Sequence, residues 1–413
     1  MARPIRDRES ILERKKILMT MLEVGLGHKS PAIAVRDEIE SVWPDRYRID
    51  IVDFAKESGA AADDRALKRS WDIALAFPVS ARIGYLLVEL NHGRNSYIDF
   101  LFRDFVSKGI GYIAGYRPDL VFATHGLCLY VAVKAREILG VDFRIVACVI
   151  DPFDGYSWWA NDGADVLLVA SEQSRDRLVD HGIRPEKIVI TGFPIHKRFF
   201  NLTKAPETIA SDLGLDPDKR TILVTSGGQG IGNVFSYVRE AFRLGLPFNI
   251  VVVAGRNAKT KARMDKLAAS AAGPTRLVSL GYVGNINELI AAADVVVGKA
   301  GASSAMEAFY MGKPLVFTEW ASYNDRYIVR FALNFRIGWY APTLVSFIRL
   351  VKSFAGSGAL EEYAANVRAL ALDPGTENVA RRVVELVEAK AAMDVDGAGK
   401  AATPPAQGCA GQR

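Results

Sequence analysis

The sequence is poor in cysteine and lacks any long apolar run. Only three cysteines occur among 413 residues, Cys128, Cys148 and Cys409, and their spacing matches neither a disulfide framework nor a metal site. No apolar run reaches the roughly 20 residues that span a bilayer. The charged first residues contain no apolar signal-peptide segment. We therefore expect a cytoplasmic protein that is soluble or peripheral.

Dense clusters of Lys and Arg are also missing, although the net charge is +5. No RNA-binding signature accompanies the basic residues, so we expect no nucleic-acid partner. A moderately basic chain suits an anionic ligand or an anionic membrane surface, and an ordinary solvated surface is the alternative. The oligomeric state cannot be inferred from these features.

Short apolar runs alternate with helical stretches along the whole chain. One series extends from KKILMTML at residue 15 to KIVITG at residue 187, and a second begins with RTILVTSGG at residue 220. Such runs are typical of buried parallel strands. Two series predict an α/β fold of two doubly wound, Rossmann-like domains that face each other across a cleft. We place these domains at residues 1–197 and 198–393, and we expect residues 394–413 to be a disordered tail.

Two glycine-containing turns follow strands of the second domain. In TSGGQGIGN, residues 225–233, Gly228, Gln229 and Gly230 can bring backbone N–H groups close to a phosphate, and plain packing of a tight turn is the alternative. The second turn lies in GKAGASSAMEAF, residues 298–309. Ligands of open α/β sheets bind beyond the carboxyl ends of the strands, where both turns are expected.

The second turn carries polar groups at a helix start. After Gly301, Ser303 and Ser304 can cap the helix and offer hydroxyl groups to a diphosphate. Glu307 lies about one turn later, where its carboxylate can accept hydrogen bonds from a ribose diol. The alternative is a capping box in which Ser304 and Glu307 only stabilise the helix end.

This segment resembles the nucleotide-sugar signature of inverting GT-B glycosyltransferases that glycosylate lipids. The family includes monogalactosyldiacylglycerol synthase, processive diacylglycerol glucosyltransferases and the lipid II-forming N-acetylglucosaminyl transferase. The resemblance extends from about residue 16 to residue 340. It implies transfer of a hexose from a UDP-sugar to a lipid acceptor, with diacylglycerol as the expected acceptor. It also implies that Ser303 and Ser304 hold the diphosphate, that Glu307 holds the ribose and that the backbone near Val283 reads the uracil.

Two further segments match the family with changed residues. In TEWASYND, residues 318–325, Asn324 and Asp325 stand where the family has longer side chains that bind the sugar, so the sugar stays open. In ITGFPIHKRF, residues 190–199, His196 replaces the usual arginine on the phosphate side. Lys197 or Arg198 is an alternative source of positive charge there.

Three turns of the first domain supply candidates for the acceptor side. EVGLGHKSPA, residues 23–32, resembles the family's first glycine loop, in which Gly27 approaches the acceptor and His28 is the expected general base. The alternatives are that His28 orients the acceptor and the donor phosphate, or that it only caps or packs the turn. His125 is expected to contact the acceptor or to be a satisfied buried histidine. Asp151 is an alternative base or a capping residue.

Residues 67–118 are rich in aromatic residues with basic residues among them. The resemblance favours membrane docking at the inner face of the cell membrane, and an ordinary core helix is the alternative. The residues expected at the lipid surface are Trp71, Tyr85, Tyr97, Phe102 and Tyr112, with Lys68, Arg69 and Arg82 near headgroups.

The sequence predicts no metal and no cofactor other than the UDP-sugar co-substrate. Its two D-x-D segments, at residues 216–218 and 394–396, do not follow core strands. Three other functions compete with transfer to a lipid. They are a UDP-N-acetylglucosamine 2-epimerase, a nicotinamide-dependent dehydrogenase and a degenerate protein that only binds a nucleotide or lipid.

Overall fold

Two α/β domains make up the part of the chain that the computed structural model describes. That part comprises residues 14–23, 27–90, 96–225, 234–270, 273–320, 322–356 and 358–400, without the side chains of residues 71, 72, 74–76, 78, 96, 234 and 390–400. Each domain contains one six-stranded sheet in which all neighbouring strands are parallel. The predicted pair of doubly wound domains is confirmed.

The N-terminal sheet has the strand order β2-β1-β3-β4-β5-β6. Its strands are β1 (Lys15–Met21), β2 (Tyr47–Asp53), β3 (Leu120–Ala123), β4 (Arg144–Cys148), β5 (Val166–Val169) and β6 (Ile188–Ile190). Its helices are α1 (Lys29–Val42), α2 (Phe54–Glu57), α3 (Ala61–Ala76), α4 (Pro78–Leu90), α5 (Ser96–Leu101), α6 (Arg103–Tyr116), α7 (Gly126–Leu139) and α8 (Glu172–Asp180).

The C-terminal sheet has the strand order β12-β11-β10-β7-β8-β9. Its strands are β7 (Thr221–Thr225), β8 (Asn249–Val253), β9 (Arg276–Leu280), β10 (Val295–Ala300), β11 (Leu315–Trp320) and β12 (Gly338–Tyr340). The helices are α9 (Pro206–Asp212), α10 (Val234–Arg243), α11 (Ala258–Ala269), α12 (Ile286–Ala292), α13 (Ala302–Tyr310), α14 (Asp325–Asn334), α15 (Leu344–Ser353), α16 (Ala359–Ala369) and α17 (Thr376–Lys400).

Strand sequences explain where the cores lie. Strands β3, β5 and β8 are buried along their full length, as expected when helices cover both faces of a parallel sheet. Gly298 interrupts the valine run of β10, and a side chain there would place its Cβ atom 2.7 Å from the carbonyl oxygen of Thr225. The close approach of β7 and β10 at their carboxyl ends therefore requires glycine at this position.

The chain crosses between the domains twice, and the two crossings touch. The backbone N–H of Gly375 donates to the carbonyl of Phe193 over 3.0 Å. Gly192 has φ +81°, and a Cβ atom on Gly375 would overlap the Gly192 carbonyl. Two glycines therefore let the crossings pack backbone against backbone.

Helix α17 returns to the N-terminal domain, although the sequence interpretation grouped residues up to 393 with the C-terminal domain. Its buried stripe, Val379, Val383 and Val387, repeats every four residues and belongs to the same apolar core as the first sheet. Tyr47 Oη donates to Glu388 Oε1 over 2.7 Å beside this stripe. The helix runs to Lys400, seven residues beyond its expected end at 393, and the remaining residues of the expected tail, 401–413, lie outside the described residues.

Candidate functional site

The carboxyl ends of the two sheets face each other across a cleft. The loops after β1, β3 and β4 meet those after β10 and β11. Ser303 Oγ donates to the Gly27 carbonyl over 3.1 Å, and Ser30 Oγ lies 3.4 Å from Glu307 Oε1. Further along the cleft, the loop after β11 meets the loop after β4, where the amide of Asn324 donates to the Asp151 carboxylate. The structure therefore brings together most of the candidate residues of both domains.

His28 sits at the strand-to-helix turn that the sequence predicted, at the N-cap of α1. Its Nδ1 atom donates to the Thr124 carbonyl over 2.7 Å, and the Thr124 hydroxyl donates back to the His28 carbonyl over 3.0 Å. With the proton on Nδ1, the Nε2 atom carries a lone pair. Burial lowers the pKa of His28, more than the Thr124 carbonyl raises it, so the ring is a neutral base at neutral pH.

His125 adopts the opposite tautomer. Its Nδ1 atom accepts a hydrogen bond from the backbone N–H of Leu127 over 3.1 Å, which caps α7 and leaves the proton on Nε2. Its ring centroid lies 4.8 Å from that of His28. Burial, followed by the nearby His28, holds the pKa of His125 well below its usual value. This cap agrees with the alternative that His125 is a satisfied buried histidine, and contact between His125 and the acceptor stays a prediction.

Asp151 is held from both sides of the cleft. Trp159 Nε1 donates to its Oδ2 atom over 2.7 Å, and the amide of Asn324 donates to its Oδ1 atom. Burial raises the pKa of Asp151 to about 7, with a further contribution from the negative charge of Asp154, while the two hydrogen bonds oppose the shift. Asp151 caps none of the described helices, so the capping alternative is wrong. Trp159 was not singled out in the sequence, although its ring nitrogen fixes the carboxylate.

Helix α13 presents the expected serines and glutamate, with one correction. Gly301 is the N-cap and makes no side-chain cap bond, so neither the predicted serine caps nor the capping box is present. Ser303 is buried toward Gly27, and Ser304 is exposed. The reason is local: the glycine turn starts the helix two residues earlier than a cap by Ser303 requires.

Glu307 faces the other domain from α13. Burial raises its pKa to about 7, whereas the positive charge of Arg198 and the hydroxyl of Ser30 lower it. Arg198 is fixed nearby, because its guanidinium donates to the Gly284 carbonyl over 3.2 Å. Half-buried Val283 precedes that carbonyl in the turn after β9. Glu307, Arg198 and this turn therefore form one neighbourhood, as a ribose and base site would need.

His196 makes its hydrogen bonds to Arg198 and to Asp37 of the N-terminal domain. Its Nδ1 atom accepts from the backbone N–H of Arg198 over 3.1 Å, and its Nε2 atom lies 3.0 Å from Asp37 Oδ2 of α1. Lys197 donates to Ser41 over 2.9 Å. Arg198 is thus the cation beside Glu307, and binding of a phosphate by His196 stays a prediction that must compete with Asp37.

Four further residues of the second domain were predicted to bind the donor. Gly228, Gln229 and Gly230 lie outside the described residues. Asp325 is buried at the start of α14, where its Oδ2 atom accepts from the backbone N–H of Ser322 over 2.8 Å. A sugar-binding role for Asp325 therefore stays a prediction.

Two stretches of the chain that carry the loops of the cleft match known families. Residues 28–195 match the monogalactosyldiacylglycerol synthase family, and residues 221–327 match the glycosyltransferase family 28 C-terminal domain. The chain is a glycosyltransferase of this type. Its matches span the loops of both sheets that carry His28, Asp151 and Glu307.

Similar proteins agree with this assignment. The glycosyltransferase is 22% identical over 362 residues to spinach (Spinacia oleracea) chloroplastic monogalactosyldiacylglycerol synthase, covering 84% of this chain and 67% of the spinach protein. It is 20% identical over 389 residues to monogalactosyldiacylglycerol synthase 2 of Arabidopsis thaliana, covering 91% and 81% of the respective chains.

Solved structures confirm the GT-B fold. Acinetobacter baumannii MurG superimposes with a TM-score of 0.59 and 15% identity, covering 90% of this chain and 99% of that one. The UDP-GlcNAc 2-epimerase of Neisseria meningitidis gives a TM-score of 0.59 with 14% identity, covering 90% and 98%. Because both identities are low, these likenesses establish the architecture only.

Helices α3 to α5 give the glycosyltransferase an apolar surface. The exposed apolar side chains of this surface are Phe77, Val79, Ile83, Leu87, Leu90 and Phe100. The aromatic residues expected at this surface are placed differently. The Tyr97 hydroxyl accepts a hydrogen bond from Trp158 Nε1 over 2.6 Å, and Phe102 and Tyr112 pack on the core. Aromatic content indicated an apolar region but not which side each ring faces. The Trp71 side chain lies outside the described residues.

Neither a membrane-spanning helix nor a cluster of metal ligands occurs in the described part of the glycosyltransferase. None of its helices combines the length and apolar character needed to cross a bilayer. Within the same residues, no three His, Cys, Asp or Glu side chains are grouped to hold a metal ion. Asp216 and Asp218 precede β7, at the sheet end opposite the cleft.

Proposed function

We propose that this glycosyltransferase moves a hexose from a UDP-sugar to the free hydroxyl of diacylglycerol, with inversion at the anomeric carbon. One observation carries the proposal. Neutral His28 and the buried carboxylate of Asp151 face the start of α13, a glycine turn and helix N-terminus suited to a nucleotide, across one cleft beside an exposed apolar surface. We infer diacylglycerol as the lipid acceptor because the relatives are named monogalactosyldiacylglycerol synthases.

The donor is assigned to the C-terminal side of the cleft. Backbone N–H groups at the start of α13 and the Ser304 hydroxyl suit a diphosphate, because a helix N-terminus favours negative charge. The carboxylate of Glu307 suits a ribose diol, and Arg198 adds a positive charge beside it. Two structures with this fold are described with UDP-GlcNAc or UDP bound, which supports a uridine nucleotide here.

His28 is the proposed general base. The acceptor hydroxyl loses its proton to the Nε2 lone pair, its oxygen bonds to the anomeric carbon, and the bond from that carbon to the UDP oxygen breaks. The dipole of α13 and Arg198 stabilise the negative charge that develops on UDP. Asp151 accepts from the Asn324 amide and thereby orients the loop that would read the sugar. No metal and no cofactor take part in this proposal.

The acceptor is assigned to the N-terminal side. The outer face of α4 carries Ile83, Leu87 and Leu90 at helical spacing, and all three are more than half exposed. An apolar patch of this kind marks an interaction surface. Arg69 and Arg82, also exposed, suit anionic headgroups. We therefore place the protein at the inner face of the cell membrane as a peripheral enzyme, with diacylglycerol reaching His28 from the lipid.

Product analysis separates this function from its rivals. Purified protein is incubated with UDP-glucose, UDP-galactose or UDP-N-acetylglucosamine and mixed micelles that contain diacylglycerol. The expected result is a monohexosyldiacylglycerol with the anomeric configuration opposite to that of the donor, identified by mass spectrometry and NMR. Conversion of UDP-N-acetylglucosamine to its C2 epimer without lipid product would instead establish an epimerase. UDP binding without any turnover would establish a degenerate binding protein.

A further inference from the structure

An arginine clamps the turn between β11 and α14. Arg326 lies in the first turn of α14, and its guanidinium donates to the Tyr323 carbonyl over 2.9 Å and to the Tyr327 hydroxyl over 2.8 Å. Its central carbon also lies 3.7 Å from the Tyr323 ring centroid and 4.3 Å from that of Tyr327. Cation–π attraction and two hydrogen bonds therefore act on the same side chain.

The N-terminal domain supplies a third ring. Tyr85 of α4 lies 5.0 Å from the Arg326 guanidinium and packs edge-on against Tyr323 at 5.2 Å. The Tyr85 hydroxyl donates to Asp154 Oδ2 over 3.0 Å, and Asp154 is buried three residues after Asp151. We call Tyr85, Tyr323 and Tyr327 the tyrosine cage. Because its rings come from both domains, the cage bridges the cleft.

Asn324 follows Tyr323 directly, so the cage determines where the Asn324 amide lies. We propose that Arg326 is a positioning residue of the transfer reaction, which fills the tyrosine cage and holds the β11–α14 turn across the cleft so that Asn324 reaches Asp151. This inference rests on the proposed function for the reaction that it serves. Arg326 touches neither reacting group and acts through Asn324.

The cage also connects the site with the apolar surface. Tyr85 and Glu89 lie one turn apart on the inner face of α4, and Glu89 accepts from the backbone N–H of Ser157 over 2.8 Å. Ile83, Leu87 and Leu90 lie on the outer face of the same helix. The helix that is proposed to contact lipid therefore carries one wall of the cage.

Kinetics of Arg326→Ala, Arg326→Lys and a matched control, Arg330→Ala, test the inference. Arg330 lies one turn further along α14, is exposed and is 6.0 Å from the Tyr327 ring, at the limit of a cation–π contact. We expect Arg326→Ala to lower kcat/KM for the UDP-sugar about tenfold or more, with Arg326→Lys in between and Arg330→Ala unchanged. The Kd for UDP alone should stay unchanged, because the assigned nucleotide contacts lie on α13. Equal losses in UDP affinity and kcat/KM would overturn the positioning role.

A distance measurement tests the cage without relying on activity. Exposed Ala66 of α3 and Ser353 of α15 are changed to cysteine and spin-labelled in a Cys409→Ser background, since Cys128 and Cys148 are buried. Arg326→Ala and Tyr85→Leu should each broaden the interdomain distance distribution, and the double variant should add little to either. An unchanged distribution in both variants would overturn the inference. A broadened distribution in a protein that transfers no sugar would support the cage while refuting the proposed function.

Discussion

Replacing His28 separates catalysis from donor binding. The side chain donates from Nδ1 to the Thr124 carbonyl, and because Thr124 is buried, loss of this bond should cost about 1–3 kcal/mol of folding free energy. A general base contributes about 10²–10⁴ in rate, equivalent to about 3–5 kcal/mol of transition-state stabilisation. We therefore expect His28→Ala to fold normally and to lose kcat by that factor.

The variant His28→Asn sharpens the test. Its amide N–H can occupy about the position of Nδ1 and keep the bond to Thr124, but it offers no basic nitrogen. If His28 is the base, Asn and Ala lose turnover alike. If the side chain only packs the turn, Asn restores turnover. UDP affinity, measured by calorimetry, should stay near wild type in both variants.

The pH dependence of kcat distinguishes His28 from Asp151. A base must be unprotonated, so activity falls as pH drops through its pKa. Burial lowers the pKa of His28, so the acid limb should lie below pH 6.5, the unperturbed value. Burial raises the pKa of Asp151 to about 7, which would place the limb near pH 7. Wild-type turnover in His28→Ala, with an acid limb near pH 7, would refute the role of His28 and favour Asp151.

Three further predictions concern the donor, the membrane and metal ions. Glu307→Ala should raise the Kd for UDP about tenfold or more. Since burial raises the pKa of Glu307 to about 7, wild-type UDP affinity should also weaken as pH falls below 7, and calorimetry across pH should show this dependence vanish in Glu307→Gln. Leu87→Asp with Leu90→Asp should reduce sedimentation with anionic vesicles, whereas Val345→Asp, at a side chain whose exposure lies between those of the two leucines, should not, and identical sedimentation would exclude the α4 surface. EDTA should leave turnover unchanged, and a loss restored by Mg²⁺ or Mn²⁺ would contradict the metal-free proposal.

Local patterns account for what the sequence predicted well. The strands were predicted from short apolar runs, because a strand buried on both faces needs apolar residues throughout. The turn at His28 and the helix after Gly301 were predicted because glycine permits a tight turn within a few residues. Such signals need no knowledge of the tertiary structure.

Contacts between distant segments account for what the sequence did not predict. The tautomer of His28 depends on Thr124, 96 residues away. The Asp151 carboxylate accepts one of its hydrogen bonds from Asn324, 173 residues away. The rings of Tyr85 and Tyr97 were expected to face lipid and face the protein instead, since composition gives no direction. The valines of α17 are spaced for one buried face, but that spacing does not determine which sheet they cover.

The return of α17 to the first sheet decides how the protein can be divided. A fragment that ends near residue 197 would expose the apolar groove that Val379, Val383 and Val387 fill, and it would lack the Glu388 partner of Tyr47. A fragment that begins near residue 198 would carry the same valines without a surface to cover. Neither half should be expressed as a stable unit. An N-terminal fragment supplied with residues 376–389 as a separate peptide should recover its fold.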